Sequence, residues 1–252
     1  MQTPLFSIVT PMWKGAALVG ATIESVLAQS FSDWELIVVD DCSPDEGAGA
    51  RVVERYANQD NRIQLIRATV NRGSSGARNQ AMEAARGRYL AFLDSDDLWM
   101  PDKLDRQLAF MQENDYAFSC TAYEQIEKEG SSLNRVIKTV KKTGYDRLLL
   151  DCPVGNSSVM YSVAKMGKFQ VPNIRKRNDD ALWLTMLKKE KYIWGMPDVL
   201  MRYRIRKNSI SSNKLSVVKY HWILYRDIEH LSVLRSVFHI GFWAFLKVFH
   251  IK

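Results

Sequence analysis

Hydrophobic residues in the first hundred positions recur in two alternating patterns. Short apolar runs typical of buried strands occur at Leu5–Thr10, Glu35–Asp40, Ile63–Ala68 and Tyr89–Asp94. Helical spacing between them predicts helices over Ala17–Gln29, Ala48–Gln59 and Ser75–Ala85. This alternation predicts an α/β fold, an open and mostly parallel sheet with helices on both faces. Ligands of such sheets bind at the carboxyl ends of the strands, so we look for chemistry there.

The alternation loosens after Pro101. The pattern predicts helices over Lys103–Asn114 and Asp179–Lys189, strands and turns over 116–142, and a short strand at Val159–Tyr161. A long helix is predicted from Val217 to Ser236, followed by a dense apolar and aromatic run over Val237–Ile251. That run is shorter than the roughly 20 residues that span a bilayer.

Composition and charge narrow the class of protein. With 46% hydrophobic and 25% charged residues, the chain is neither disordered nor a polytopic membrane protein. The net charge of +7 is uneven, because residues 1–100 hold 9 Lys and Arg against 13 Asp and Glu, whereas residues 202–252 hold 10 against 2. The basic, aromatic tail predicts contact with an anionic membrane surface, or alternatively packing on the core or on a second subunit.

Cysteine usage and the N-terminus indicate the compartment. The three cysteines are widely spaced without a CxxC pair, which argues against a disulfide scaffold and a thiolate zinc site. The first residues, MQTPLFSIVTPMWKG, lack the basic and apolar regions of a signal peptide. We therefore expect a cytoplasmic protein, peripheral on the inner face of the plasma membrane if the tail binds lipid.

Acidic residues follow two of the predicted strands. Asp94, Asp96 and Asp97 come directly after YLAFL, and such close carboxylates repel each other unless a cation lies between them. Mg²⁺ or Mn²⁺ shared with substrate phosphates fits oxygen ligands, although a capped helix start is the alternative. Asp40 and Asp41 follow the second strand, where a carboxylate can bind a base or a ribose, or close an Asx-type turn.

The segment Asn71–Asn79 is a Gly/Ser loop with two arginines, just before a predicted helix. Glycine lets the backbone approach a ligand closely, and Arg suits phosphate. The loop matches neither the P-loop pattern nor G-x-G-x-x-G, so by itself it is a weak signal.

In four segments, SIVTPMWKG, WELIVVDDCS, NRGSSGARNQAMEAARGRYLAFLDSDD and RNDDALWL, the chain resembles the inverting, nucleotide-sugar-dependent glycosyltransferases of family 2, which have the GT-A fold. The subset it most resembles builds bacterial surface polysaccharides such as teichuronic acid, capsule and O-antigen. The resemblance covers about residues 5–212 and is most specific at LDSDD, which matches the D-x-D metal motif of the family.

The resemblance implies roles for individual residues. The nucleotide-binding set it implies is Thr10, Pro11, Asp40, Asp41, Arg72, Arg78, Asp94 and Arg206. Asp41 would contact the uracil base, Asp94 would face the ribose and the metal, and Asp96 would be the main ligand of a divalent metal, Mn²⁺ or Mg²⁺. Asp179, in NDDALW, matches the catalytic base, with Asp180 as the alternative if the register differs by one. From the residues alone, the pair reads equally well as a favourable helix start.

Two positions depart from the family pattern. Met12 and Trp13 stand where the family usually carries Tyr-Asn, so the packing around the base would differ. Arg206 stands where many relatives have a histidine that can ligate the metal. Arginine cannot do so, but its fork could neutralise the leaving diphosphate, or it could belong to a solvated basic loop.

We therefore predict a metal-dependent, inverting, hexosyltransferase-type enzyme that moves a sugar from a nucleoside diphosphate sugar, a UDP-sugar by this resemblance, to a glycan. We expect that glycan to be lipid-linked, which would explain the basic tail. Residues 1–98 would bind the nucleotide sugar, residues 99–212 would bind the acceptor and carry the base, and residues 213–252 would form a basic helical tail. Nucleic acid is not an expected partner, and a homo-oligomer is left open. The alternatives are a sugar nucleotidyltransferase and a non-catalytic nucleic-acid-binding protein that uses the tail.

Overall fold

The computed structural model of the chain describes residues 3–206 and 214–248. Its strands belong to a single mixed sheet. They are β1 Phe6–Met12, β2 Trp34–Asp40, β3 Ile63–Arg67, β4 Tyr89–Phe92, β5 Leu98–Trp99, β6 Phe118–Ile126, β7 Ser132–Ile137, β8 Lys142–Thr143, β9 Met160–Ser162 and β10 Ile193–Arg204. The predicted α/β fold is confirmed.

Helices cover both faces of this sheet. They are α1 Val19–Leu27, α2 Ala48–Ala57, α3 Gly73–Ala84, α4 Lys103–Glu113, α5 Tyr145–Leu150, α6 Val163–Met166, α7 Asn178–Leu187, α8 Lys214–Ile223 and α9 Val233–Val248. A 3-10 turn spans Asn156–Ser158, and a π-helical segment spans Leu224–Ile228.

The strand order decides which residues meet at the ligand edge. The order is β3-β2-β1-β4-β9-β6-β10-β5, with β7 paired to β6 and β8 to β10. Strands β1 to β4 are parallel, whereas β9 is antiparallel to both β4 and β6. The carboxyl ends of β2, β1, β4, β6 and β10 therefore share one edge with the amino end of β9.

The core lies on both faces of β1 and β2, whose residues are all buried. Successive side chains of a strand point to opposite faces. Val9 and Ile37 accordingly pack with α3 and α7, while Ile8 and Leu36 pack with α1, α2 and α4. Complete burial on two faces is the reason these strands appear in the sequence as continuous apolar runs.

Helix α7 is fixed to the central sheet by Trp183, which is fully buried. Its ring packs edge to face on Phe92 of β4, with 5.1 Å between centroids, and lies 5.6 Å from the ring of Phe118. Such aromatic contacts add to the free energy gained by burying the rings. The start of α7 therefore has a fixed position relative to the loop that follows β4.

The prediction of one long helix from Val217 to Ser236 is wrong. The chain breaks between the π-helical segment and α9, with His230 at a φ of 53°, a left-handed conformation that ends a helix. Buried Glu229 fixes the break, because it accepts a hydrogen bond from Tyr145 and an ion pair from Lys188 at 2.9 Å. The part of the predicted apolar run beyond Val248 lies outside the described residues.

Helix α9 packs one face on the body of the protein. Trp243 contacts the ring of His221 at 4.5 Å between centroids, and His239 lies 5.5 Å from Tyr225. The opposite face exposes apolar side chains, Val233, Leu234, Val237, Phe238 and Phe245. No helix within the described ranges is long and apolar enough to cross a membrane.

Candidate active site

Asp94 begins the acidic loop after β4 and is held from two sides. Its Oδ1 accepts hydrogen bonds from Arg78 at 2.6 Å and from the Asn156 amide at 3.0 Å. Its backbone N–H donates to Ser157 Oγ at 3.0 Å. These contacts fix the carboxylate through one oxygen, so its orientation is set by residues of α3 and of the 3-10 turn.

Asp96, two residues further along the chain, lies in a different environment. Burial and the neighbouring Asp94 carboxylate raise the pKa of Asp96. The guanidinium of Arg206 forms an ion pair with the Asp96 carboxylate at 2.6 Å. The structure thus places Arg206 beside the proposed metal ligand, at the edge where the diphosphate of a donor is expected.

Asp97 is turned inwards, away from its two acidic neighbours. It accepts hydrogen bonds from Ser157 Oγ at 2.6 Å and from the backbone N–H of Arg204 at 2.9 Å. Burial, followed by the charges of Asp96 and Asp94, holds the pKa of Asp97 well above its ordinary value. Asp97 therefore anchors the loop, which leaves Asp94 and Asp96 as the acids that a ligand can reach.

The edge of β1 and β2 forms the other half of the predicted nucleotide site. The carboxylate of Asp41 accepts the backbone N–H of Arg72 at 2.8 Å, and burial raises the pKa of Asp41. Asp40 instead accepts the Ser43 hydroxyl at 2.5 Å, which closes its own turn. Thr10 has a buried hydroxyl without a hydrogen-bond partner in the described part of the chain.

The two loop arginines differ in environment. Arg72 is exposed, and the contact to Asp41 comes from its backbone. Arg78 is buried and donates both to Asp94 and to the side-chain oxygen of Asn178. Arg78 thus joins the acidic loop to the first residue of α7. Contact of either arginine, or of Pro11 in β1, with a nucleotide stays a prediction.

The two acids at the start of α7 are not equivalent. Asp180 is buried and forms an ion pair of 2.6 Å with Arg177. Asp179 is half-buried, and burial followed by the charge of Asp180 raises its pKa to about 6, with Arg78 and Arg177 opposing the shift. A carboxylate that titrates near neutral pH suits a general base, which favours Asp179 over Asp180 for that role.

Sequence reasoning missed several residues that shape this site. Asn156 and Ser157 belong to a short polar turn that carries no recognisable motif, and Arg204 ends β10, a strand that was not predicted. They lie 62, 60 and 107 residues from their acidic partners. Only the sheet order brings them together, so no local signal in the sequence could have identified them.

The protein side chains alone supply only part of the ligand set of a divalent cation. Within residues 3–206 and 214–248, no group of three or more His, Cys, Asp and Glu side chains is arranged to hold a metal. Asp94 and Asp96 nevertheless offer hard oxygen ligands, and burial together with the charge of Asp94 raises the pKa of Asp96. Mg²⁺ and Mn²⁺ commonly take one or two carboxylates and complete their shell with phosphate and water. The donor set fits that arrangement.

The sheet order and its acidic carboxyl edge are those of a glycosyltransferase with the GT-A fold. The family described as Glycosyl transferase family 2 matches residues 7–172, and the chain belongs to this family. This membership favours sugar transfer over both alternatives considered from the sequence.

The relatives that match nearly the whole chain include two bacterial glycosyltransferases. The putative teichuronic acid biosynthesis glycosyltransferase TuaG of Bacillus subtilis is 42% identical over 245 residues, which cover 97% of this chain and 94% of the relative. WfgD of Escherichia coli, a UDP-Glc:alpha-D-GlcNAc-diphosphoundecaprenol beta-1,3-glucosyltransferase, is 33% identical over 243 residues, 96% of this chain and 93% of the relative.

Solved structures agree on the fold. TarS residues 1–349 of S. aureus, in complex with UDP, superposes with a TM-score of 0.68 at 18% identity, covering 95% of this chain and 70% of that one. The mannosyltransferase PcManGT of Pyrobaculum calidifontis, in complex with GDP-Man and Mn²⁺, gives 0.65 at 15% identity, covering 97% and 74%. At these identities the likeness concerns the fold alone.

Proposed function

We propose that this glycosyltransferase moves a sugar from a UDP-sugar to a hydroxyl group of a lipid-linked glycan, with inversion, in the synthesis of a bacterial surface polysaccharide. The observation that carries the proposal is the bridge made by Arg78 between Asp94 and Asn178. Because Asp179 follows Asn178 in the chain, the bridge links Asp94 of the acidic loop to the residue next to the candidate base.

The donor would lie along the carboxyl edge from β2 to β4. Asp41 would accept a hydrogen bond from the uracil base, with Thr10, Pro11 and Asp40 forming the pocket around it. The hydroxyl of Thr10 is buried and has no hydrogen-bond partner among the residues that the structure describes. It supports a ligand there, because such a group ordinarily has a partner. Arg72 would close the pocket from the loop before α3.

Asp94 and Asp96 would hold a divalent metal, Mn²⁺ or Mg²⁺, together with the diphosphate. When bound, such an ion stabilises negative charge on the departing diphosphate. Arg206 would contribute a fixed positive charge beside the same group, and its ion pair with Asp96 supports this position. The missing histidine ligand is thus compensated by an arginine that binds phosphate rather than metal.

Asp179 would act as the general base. Its carboxylate takes the proton of the acceptor hydroxyl while that oxygen attacks the anomeric carbon from the side opposite the diphosphate. The bond between the anomeric carbon and the diphosphate oxygen breaks in the same displacement, so the configuration inverts. A pKa of about 6 for Asp179 supports the assignment, since the group is then largely ionised at pH 7 and still basic.

The acceptor and the tail belong together in this proposal. The name of WfgD includes a diphosphoundecaprenol acceptor, and the name of TuaG includes teichuronic acid biosynthesis. The exposed apolar face of α9, flanked by exposed Arg235, supports contact with an anionic membrane in which a lipid-linked acceptor resides.

Calorimetric titration of UDP, with and without Mn²⁺, tests the donor site. We expect metal-dependent binding by the wild type that Asp96→Ala abolishes, whereas the control Asp105→Ala, on the exposed face of α4, binds normally. Asp179→Asn should retain UDP binding and lose transfer. With an α-linked UDP-hexose, a β-linked product in the NMR spectrum supports inversion. Failure of the wild type to bind UDP, or an α-linked product, would contradict the proposal.

A further inference from the structure

Three residues around the acidic loop carry buried polar atoms that have no hydrogen-bond partner in the described part of the chain. They are the Thr10 hydroxyl, the Nε of Arg78 and the side-chain oxygen of Asn156. Leaving a buried polar atom unpaired destabilises the folded state, so native proteins keep few of them. Because Arg78 and Asn156 both contact Asp94, their unpaired atoms lie at the donor site.

The amide of Asn156 is held in one orientation. The residue is 9% exposed, and its Nδ2 donates to Asp94 Oδ1 at 3.0 Å. The flipped amide would direct its oxygen at the carboxylate, which accepts but cannot donate hydrogen bonds, so the flip is excluded by repulsion. The oxygen of Asn156 is therefore the atom left to accept a hydrogen bond.

The backbone that carries Asn156 is also fixed from behind. Trp99 Nε1 donates to the carbonyl of Ser157 at 2.8 Å, and Gln107 Nε2 donates to the carbonyl of Ser158 at 3.0 Å. A rigid, desolvated acceptor of this kind is what a site needs to recognise a hydroxyl group.

The position of Asn156 along the sheet edge indicates which hydroxyl it meets. Asp41 follows β2 and Thr10 lies near the carboxyl end of β1, on one side of β4, whereas Asn156 precedes β9, on the other side. The uridine would occupy the first side. An inverting transfer needs the sugar between the diphosphate and the base, which is the side of β9 and of α7.

We propose that the side-chain oxygen of Asn156 accepts a hydrogen bond from a hydroxyl group of the transferred sugar, which makes Asn156 a specificity-determining residue. This inference rests on the proposed function, because it needs a nucleotide sugar in the site. A sugar that lacks the hydroxyl leaves this buried oxygen unpaired, so the enzyme discriminates against it.

The test compares UDP with UDP-sugars by calorimetry in the presence of Mn²⁺. The variants are Asn156→Ala and the matched control Gln80→Ala, whose amide oxygen is also buried without a described partner. UDP-glucose, UDP-galactose and UDP-N-acetylglucosamine are screened first, and the tightest binder is used. For Asn156→Ala we expect the Kd of that UDP-sugar to rise about tenfold more than the Kd of UDP, because any disturbance of Asp94 affects both ligands alike. Gln80→Ala should change neither.

A second measurement leaves the protein unmutated. Among monodeoxy analogues of the same UDP-sugar, one should bind the wild type about tenfold more weakly, since it lacks the hydroxyl that Asn156 meets. Equal rises of both Kd values in Asn156→Ala would show that Asn156 acts only through Asp94. Full affinity for every deoxy analogue would overturn the proposal even if the variant does not fold. Failure of UDP itself to bind would instead refute the underlying donor site.

Discussion

The pH dependence of transfer follows from the environment of Asp179. Burial and the charge of Asp180 raise its pKa to about 6, and the base must be ionised to act. Activity should therefore be lost as the pH falls through 6. About one tenth of the carboxylate is ionised at pH 5 and about nine tenths at pH 7, so kcat should rise roughly tenfold between them. An unperturbed aspartate would be almost fully ionised at pH 5 and would give a flat profile.

The assay is kcat at saturating donor, acceptor and Mn²⁺ from pH 5 to pH 8, with UDP release as the readout. Asp180→Asn provides a second arm, because it removes the like charge and frees Arg177, both of which lower the pKa of Asp179. The rising limb should move to lower pH in that variant. A flat wild-type profile between pH 5 and pH 7, or a limb unmoved by Asp180→Asn, would refute Asp179 as the base.

Three further expectations concern stability and the tail. Asp97→Ala leaves the backbone N–H of Arg204 and the hydroxyl of Ser157 without their acceptor. It should therefore lower the free energy of unfolding in urea by about 1–3 kcal/mol, whereas Asp105→Ala should not. Burial lowers the pKa of Lys103 to about 7, so the folded state favours the neutral amine. The free energy of unfolding of the wild type should therefore rise by roughly 2 kcal/mol relative to that of Lys103→Met from pH 7 to pH 9, and no rise would contradict this. Phe238→Ser in α9 should weaken flotation with phosphatidylglycerol vesicles, unlike Val136→Ser in β7, and equal losses would argue against tail docking.

The first half of the fold could be predicted because its signals are local. Strands β1 and β2 are buried on both faces, so their apolar runs identify them without knowledge of their neighbours. Strand β10 escaped prediction, since Gly195 and Pro197 interrupt its pattern and the pairing with β6 shifts register between Met196 and Val199. The break before α9 depends on Glu229 and its distant partners, which helical periodicity cannot reveal.

The acids of the candidate site could be located from the sequence, but which of them are accessible and which is buried could not. Spacing places Asp94, Asp96 and Asp97 together, and position after a strand places them at the ligand edge. Which of the three is reachable depends on Ser157 and on the backbone of Arg204. Both contacts join segments far apart in the chain, and so only the folded structure distinguishes the buried acid.

The charge balance of the acidic loop couples the two halves of the site. Three carboxylates within four residues repel one another, so each needs its own ion-pair or hydrogen-bond partner to remain in place. Asp94 is paired with Arg78, Asp96 with Arg206, and Asp97 with neutral donors. Arg78 in turn binds Asn178, the residue before the candidate base. In the proposed function, a displacement of the loop by donor binding would therefore reach the start of α7 through Arg78, and this would connect donor recognition with the activation of the acceptor.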